Sequence, residues 1–204
     1  QELSLTFSSL RANDLIWQYV VNNYLKGQTP MAFDLLYWNS DSTNLPRPMH
    51  TWYLRNMYLE NNLVKPNKLT MCGVPVDLGK INLPTYVMAA REDHIVPWRT
   101  AYNSTKYLKG KLEFVLGASG HIAGAINSAV KNKRNYWVNN DLSGNADEWF
   151  AKAESHAGSW WIHWTQWLAQ QSGKQIPAPT QAGNTNYPVI EAAPGRYVAE
   201  RNVE

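Results

Sequence analysis

The sequence predicts an α/β protein whose parallel strands present functional side chains at their carboxyl ends, and three observations carry that reading. Leu83-Pro84-Thr85-Tyr86-Val87-Met88-Ala89-Ala90 is a short run rich in β-formers that stops at small residues and then presents Arg91-Glu92-Asp93-His94. Phe114-Val115-Leu116-Gly117 repeats the pattern and delivers Ala118-Ser119-Gly120-His121, with His121 28 positions after Asp93. Between the two, apolar or aromatic positions recur at Trp98, Ala101, Tyr102, Thr105 and Leu108, the spacing of a helix with Pro97 in its first turn. Strand, acid loop, helix, strand and histidine loop make one crossover unit. In an open α/β sheet the carboxyl ends of neighbouring strands share a crevice, so Asp93 and His121 are expected to meet there.

Bulk properties bound what such a fold can do. A chain of 204 residues with 44% hydrophobic and 17% charged residues is globular and long enough for one domain with a sizeable core. The net charge of +3 is spread thinly apart from Lys131-Asn132-Lys133-Arg134, which reads as a solvated loop, so no nucleic-acid footprint is expected. A single cysteine excludes an internal disulfide and fits a reducing compartment. With no run of membrane-span length and no signal peptide at its start, the chain reads as soluble and cytoplasmic. The aromatic load is unusual, 10 Trp and 11 Tyr against 4 Phe, which points to rings that pack while a polar tip finds a partner.

Taken in order, the opening residues read as the middle of something longer. Asn13 is a plausible cap for a helix from Asp14 to Leu25, stopped by Gly27. Residues 28 to 48 are irregular around the apolar knot Phe33-Asp34-Leu35-Leu36-Tyr37-Trp38, and helix resumes from Met49 to Leu63 with a broad apolar face. Lys65 to Lys80 reads as short strands or a hairpin broken by Gly73 and Pro75. Ile122 to Asn140 reads as loop with brief helix, Asp147 opens a helix to about Ser155, and Ser159 to Gln170 is a helix packed on the sheet by Trp160, Trp161, Trp164, Trp167 and Leu168. From Ser172 the composition of Pro, Gln, Asn and Gly predicts an extended tail.

The chemistry centres on the acid and the imidazole. Taken singly, Asp93 reads as a helix cap or surface carboxylate and His121 as a satisfied loop histidine. As a pair in matched strand contexts they fit the last two members of a nucleophile, acid, histidine order, in which the acid orients the imidazole and the imidazole activates a hydroxyl or thiol. The nucleophile elbow that should precede Asp93 is missing. Cys72 has no glycine two positions before it and a proline three after, and reads as a buried, inert thiol. Ser119 shares its loop with the histidine and follows the acid, so it reads as shaping the turn. His94 adjoins the acid and could modulate it or be a neighbour satisfied by backbone. His156 and His163 lack the further ligands of a metal site, and no metal is assigned.

Arg91-Glu92-Asp93-His94-Ile95-Val96-Pro97-Trp98, Leu116-Gly117-Ala118-Ser119-Gly120-His121-Ile122-Ala123-Gly124, Gly158-Ser159-Trp160-Trp161 and Pro194-Gly195-Arg196-Tyr197-Val198 closely resemble the C-terminal half of class I polyhydroxyalkanoate synthases. The resemblance covers essentially the whole chain. It implies the C-terminal part of an α/β-hydrolase-like fold, incomplete in this chain, with residues 1–63 as cap, 64–171 as core and 172–204 as tail. It implies polymerisation of 3-hydroxyacyl-CoA into polyester with release of CoA, with Asp93 as triad acid, His121 as general base and a cysteine nucleophile upstream of these residues. Cys72 resembles the family's second, non-catalytic cysteine. Ala123 would lie near the substrate pocket, with His94 and Trp38 as further pocket candidates. No cofactor is implied, since CoA enters as the substrate thioester; a homodimer and a polyester granule surface are the implied partners. Two alternatives stay open at this point: an esterase or depolymerase using the same pair, and a non-catalytic fragment that binds a granule or a partner.

Overall fold

A computed structural model of the chain describes residues 6, 9, 10, 12–30 and 45–200. The apolar knot around Trp38 lies outside the described residues. The chain divides into two compact units, one comprising Gln1–His50 and Pro179–Glu204, the other Thr51–Ala178. In the first, the helix expected after Asn13 is present but wound wide, as π turns over Asn13–Trp17 and Val20–Leu25, and it ends at Gly27 with φ +65°. Asn13 is not its cap: helical backbone already runs through Ala12. Residues 172–196 contain neither helix nor strand, and a single 3-10 turn forms at Tyr197–Ala199.

Helix α1 (Arg47–Tyr53) starts earlier than expected, with Pro48 in its first turn, and continues as a π turn over Leu54–Leu59. Its broad apolar face stays open, with Tyr58 73% and Leu59 77% exposed. The hairpin follows. Strands β1 (Leu69–Met71) and β2 (Val74–Val76) pair antiparallel across Cys72-Gly73, both at positive φ, the geometry of a tight two-residue turn. Here one expectation fails: Cys72 is exposed, because it sits at the tip of that turn and not in a core.

The main sheet has the order β3-β4-β5-β6. Strands β3 (Thr85–Ala90) and β4 (Leu112–Gly117) pair parallel in the register Thr85 opposite Leu112 and Ala90 opposite Gly117, as the crossover pattern requires. The intervening helix is shorter than its periodicity suggested. Helix α2 covers Trp98–Tyr102 and tightens into a 3-10 turn over Asn103–Lys106, while Pro97 caps it from outside with extended backbone. Strands β5 (Asn135–Val138) and β6 (Glu154–Ala157) close the sheet antiparallel, so it is mixed and not purely parallel. Both were missed in sequence. Each is four residues long, and β5 is half-buried throughout, so neither shows a period of two.

Alternation along β4 sends Phe114 and Leu116 to one face and Val115 to the other, all of them buried. On the first face α2 and α4 (Ala146–Ala151) cover the sheet, with Trp149 edge-on to Phe114 at 4.9 Å and Tyr102 edge-on to the same ring at 5.0 Å. Helix α4 starts with a full capping box in which the Asn145 side chain accepts from the Asp147 and Glu148 backbone and Glu148 accepts from the Asn145 backbone. Trp149 is further tied by exchanged bonds with Asn139, its indole N–H donating at 2.9 Å and its carbonyl accepting at 3.0 Å. On the second face lie the short helix α3 (His121–Ala125) and α5 (Trp160–Gln171). Of the aromatic stripe on α5, Trp160 and Trp167 meet Tyr86 of β3, while Trp164 and Leu168 remain exposed. His163 joins them, bonding the Tyr86 hydroxyl at 3.0 Å. Burial holds His163 below the ordinary histidine range, with nearby His156 adding to the shift and Glu113 opposing it.

Trp149 carries the first face. Trp149→Ala is expected to lower the unfolding free energy by about 3–5 kcal/mol, read by urea denaturation, since it deletes a side chain that is 1% exposed together with its indole bond.

Candidate active site

The site forms where β3 and β4 end level with each other. Past the last paired residues the parallel ladder continues into the loops: the Arg91 N–H donates to the Gly117 carbonyl at 2.8 Å and the Glu92 N–H to the Ser119 carbonyl at 3.0 Å. On its other side the histidine loop is held by the Ala118 N–H, which donates to the Asn135 carbonyl at 3.0 Å. Strand β5, unseen in the sequence, is thus the second anchor. Ser119 adopts φ +85°, a conformation few non-glycine residues take, and it turns the chain into α3. Its expected role in shaping the turn matches this geometry.

Asp93 and His121 meet. His121 Nδ1 lies 2.8 Å from Asp93 Oδ2. The other oxygen, Oδ1, accepts from the backbone N–H groups of Ile95 at 2.9 Å and Val96 at 3.0 Å, so both faces of the carboxylate are engaged. Burial pushes this carboxyl up, but the Val96 N–H, the His121 side chain and the Ile95 N–H together outweigh it and hold Asp93 below the usual carboxylate range. It is therefore ionised at neutral pH. A carboxylate only accepts hydrogen bonds, so the proton of neutral His121 resides on Nδ1 and Nε2 keeps its lone pair. The side chain of Asp93 is 10% exposed and that of His121 44% exposed, a screened acid behind an accessible imidazole. That pairing can take a proton from a hydroxyl or thiol brought to Nε2 and stabilise the resulting imidazolium.

The remaining sequence candidates fall around this pair. Ala123 is half-buried on α3, two residues after His121. His94 is exposed in the acid loop. Trp38 lies outside the described residues. Ile95, Val96 and Ile122, which adjoin the two site residues in sequence, are 45%, 47% and 50% exposed and give the surroundings an apolar character. Lys131, Lys133 and Arg134 are exposed, as a solvated loop requires, and line a cleft with Ile126 and Asn127. Among the described residues no group of three His, Cys, Asp or Glu could hold a metal ion. Gly124 is the contact that sequence reasoning passed over: a Cβ there would stand 2.6 Å from the Ala90 Cβ, so only glycine lets α3 lie against the end of β3.

The depressed Asp93 pKa fixes a sign for acid behaviour. Because the folded value lies below the unfolded one of about 3.9, the carboxylate's contribution to stability is complete above that pH and is lost as pH falls through the folded value. The stability difference between wild type and Asp93→Asn, measured by denaturant titration at a series of pH values, should shrink as the pH falls below about pH 4.

Comparison with known proteins gives this geometry a context. A family described as "alpha/beta hydrolase fold" matches residues 1–127. The chain is 60% identical over 197 residues to the poly(3-hydroxyalkanoate) polymerase subunit PhaC of Cupriavidus necator, covering 97% of this chain and 33% of that protein. It is 46% identical to the subunit of the same name from Rhizobium meliloti, over 98% of this chain and 32% of the relative. With poly(3-hydroxyalkanoate) polymerase 1 of Ectopseudomonas oleovorans the identity is 43%, over 98% of this chain and 36% of the relative. The chain spans about a third of the length of the curated relatives it matches. A match over more than half of its residues, together with a parallel crossover that brings an acid and a histidine together at the strand ends, establishes that the chain belongs to the α/β-hydrolase fold family.

Proposed function

We propose that these residues are the acid and base portion of a polyhydroxyalkanoate synthase that polymerises (R)-3-hydroxyacyl-CoA into polyester and releases CoA, with a cysteine nucleophile upstream in the longer polypeptide. The observation that carries the reading is the 2.8 Å Asp93–His121 pair in a chain 60% identical to a protein named as a poly(3-hydroxyalkanoate) polymerase. In this reaction His121 Nε2 takes the proton of the upstream thiol. The thiolate attacks the thioester carbonyl, the carbon–sulfur bond to CoA breaks, and CoA leaves as its thiol. His121 then takes the 3-hydroxyl proton of the chain-extending group, whose oxygen attacks the acyl-enzyme and returns the cysteine. Asp93 stabilises the imidazolium formed in each half. Neither acyl transfer, to sulfur or to oxygen, changes an oxidation state, and CoA enters with the substrate, so no resident cofactor is assigned.

The surroundings suit such a substrate. Ile95, Val96 and Ile122 offer apolar surface beside the pair, and Ala123, His94 and Trp38 are assigned to the substrate pocket on the strength of the family resemblance. Residues 1–63 are read as the cap, 64–171 as the core and 172–204 as the tail. No helix among the described residues is long and apolar enough to cross a membrane. We place the enzyme in the cytoplasm as a dimer at the surface of its polyester granule, a reading supported by the exposed apolar side chains Ile176, Tyr187, Ile190 and Tyr197 near the C-terminal end.

The deciding assay is CoA release from 3-hydroxybutyryl-CoA by these residues alone and by a chain extended upstream through the nucleophile elbow. Release by the extended chain only, with polymer as product, is the expected result; turnover by these residues alone would require a nucleophile among them and overturn the division of the triad. Free 3-hydroxybutyrate in place of polymer would make the enzyme a hydrolase. In the extended enzyme, His121→Ala is expected to lower kcat by about 10²–10⁴-fold, and normal turnover would remove His121 from the mechanism.

A further inference from the structure

Among the described residues the His121 side chain has one hydrogen bond to protein, on Nδ1, so the direction of Nε2 depends on how the backbone of α3 is held. Helix α3 is only five residues long, and a helix leaves its last four carbonyls without partners inside the helix. Two of them are taken by indoles from α5. The Trp160 Nε1–H donates to the Gly124 carbonyl at 2.9 Å, and the Trp161 Nε1–H donates to the Ala125 carbonyl at 2.9 Å. The grip continues through the segment before α5. The Ser159 hydroxyl donates to the Asn127 carbonyl, and the Ser159 N–H donates to Asn132 Oδ1 at 2.8 Å. Gly158 adopts φ +100°, and a Cβ there would stand 2.2 Å from Asn132 Oδ1, so glycine alone permits the approach. Ser159 is 1% exposed, and its hydroxyl also accepts from the Trp161 N–H at 3.1 Å, which aligns the start of α5 with the grip. Trp160 and Trp161 thus hold the C-terminal end of the helix whose first residue is His121, and Ser159 holds the chain two residues beyond it.

We propose that Trp160 and Trp161 are positioning residues for the His121 base, their indole N–H groups fixing α3 so that Nε2 points at the reacting thiol or hydroxyl. The inference rests on the reading of His121 as general base. It concerns the N–H groups and not the rings: phenylalanine at either position keeps an aromatic side chain and loses the donor. A displacement of about 1 Å in a catalytic group can lower a rate by as much as 10²-fold.

The test uses the full-length polymerase with 3-hydroxybutyryl-CoA. Trp161→Phe and Trp160→Phe are expected to lower kcat by about 10-fold to 100-fold with KM changed less than about twofold, in protein whose thermal unfolding is still cooperative. The same substitutions placed in a His121→Ala background should have no further effect on the residual rate, because a residue that acts through the imidazole has nothing left to position. Unchanged kcat in the folded single variants overturns the proposal. So does an equal loss in both backgrounds, which marks a general structural role. Should phenylalanine prevent folding, benzothienylalanine at position 161 keeps the bicyclic shape and replaces the N–H by sulfur, and the same two outcomes apply. A His121→Ala enzyme that turns over normally sinks the base assignment itself, separately from any result at the tryptophans.

Discussion

The parallel pairing of β3 with β4 is the constraint on which everything functional depends. With Ala90 opposite Gly117, two loops leave adjacent strands at the same level and in the same direction, and the ladder extends one step into each. A one-residue slip would move every side chain of the strand to the opposite face and carry the acid away from the imidazole. Several local peculiarities follow from keeping the two loops this close. Ser119 accepts a strained backbone, Gly124 forgoes a side chain, and Gly117 leaves room where a Cβ would meet Met88 at 2.9 Å.

The second organising feature is the polar tip of the aromatic residues. A protein with so few phenylalanines builds its interior from rings that also donate: Trp149 to the Asn139 carbonyl, Tyr102 to the Gly144 carbonyl, Trp160 and Trp161 to the end of α3. Each ring removes apolar area from water while its N–H or O–H satisfies a carbonyl that secondary structure leaves open. Tyr86 shows the consequence for acidity. Burial among α5 side chains pushes its phenol far up, with Glu113 and Tyr136 adding to the shift, so it stays a neutral partner of His163. The same face of the sheet therefore holds both the packing of α5 and the support of α3.

Much of this was legible in the residues. The two β-forming runs, the acid and histidine that end them, and the helix between are local patterns, and the parallel crossover follows from them through the handedness and length of such units. What escaped was whatever depends on a partner distant in sequence. Asn135-Tyr136-Trp137-Val138 is a strand because β4 and β6 flank it, not because its composition alternates. Cys72 looked like a core thiol by composition but stands on a hairpin tip, where the turn geometry and not hydrophobicity decides exposure. The tryptophan stripe of α5 was legible as a packed helix, yet only part of it packs: Trp160, His163 and Trp167 face β3 while Trp164 is exposed.

By itself, then, the sequence determined the α/β class, the crossover unit, the identity and order of the acid and the imidazole, and the absence of an elbow motif from these residues. Those properties are written in short-range patterning, which the chain carries whatever surrounds it. Tertiary structure alone decided that Asp93 Oδ1 is occupied by two backbone N–H groups while Oδ2 faces His121, that β5 braces the histidine loop, and that indoles 36 residues away close the end of α3. The physical reason is that orphaned helix carbonyls and carboxylate lone pairs can be satisfied by many donors. Which donor does so is settled by the packing that brings distant segments together.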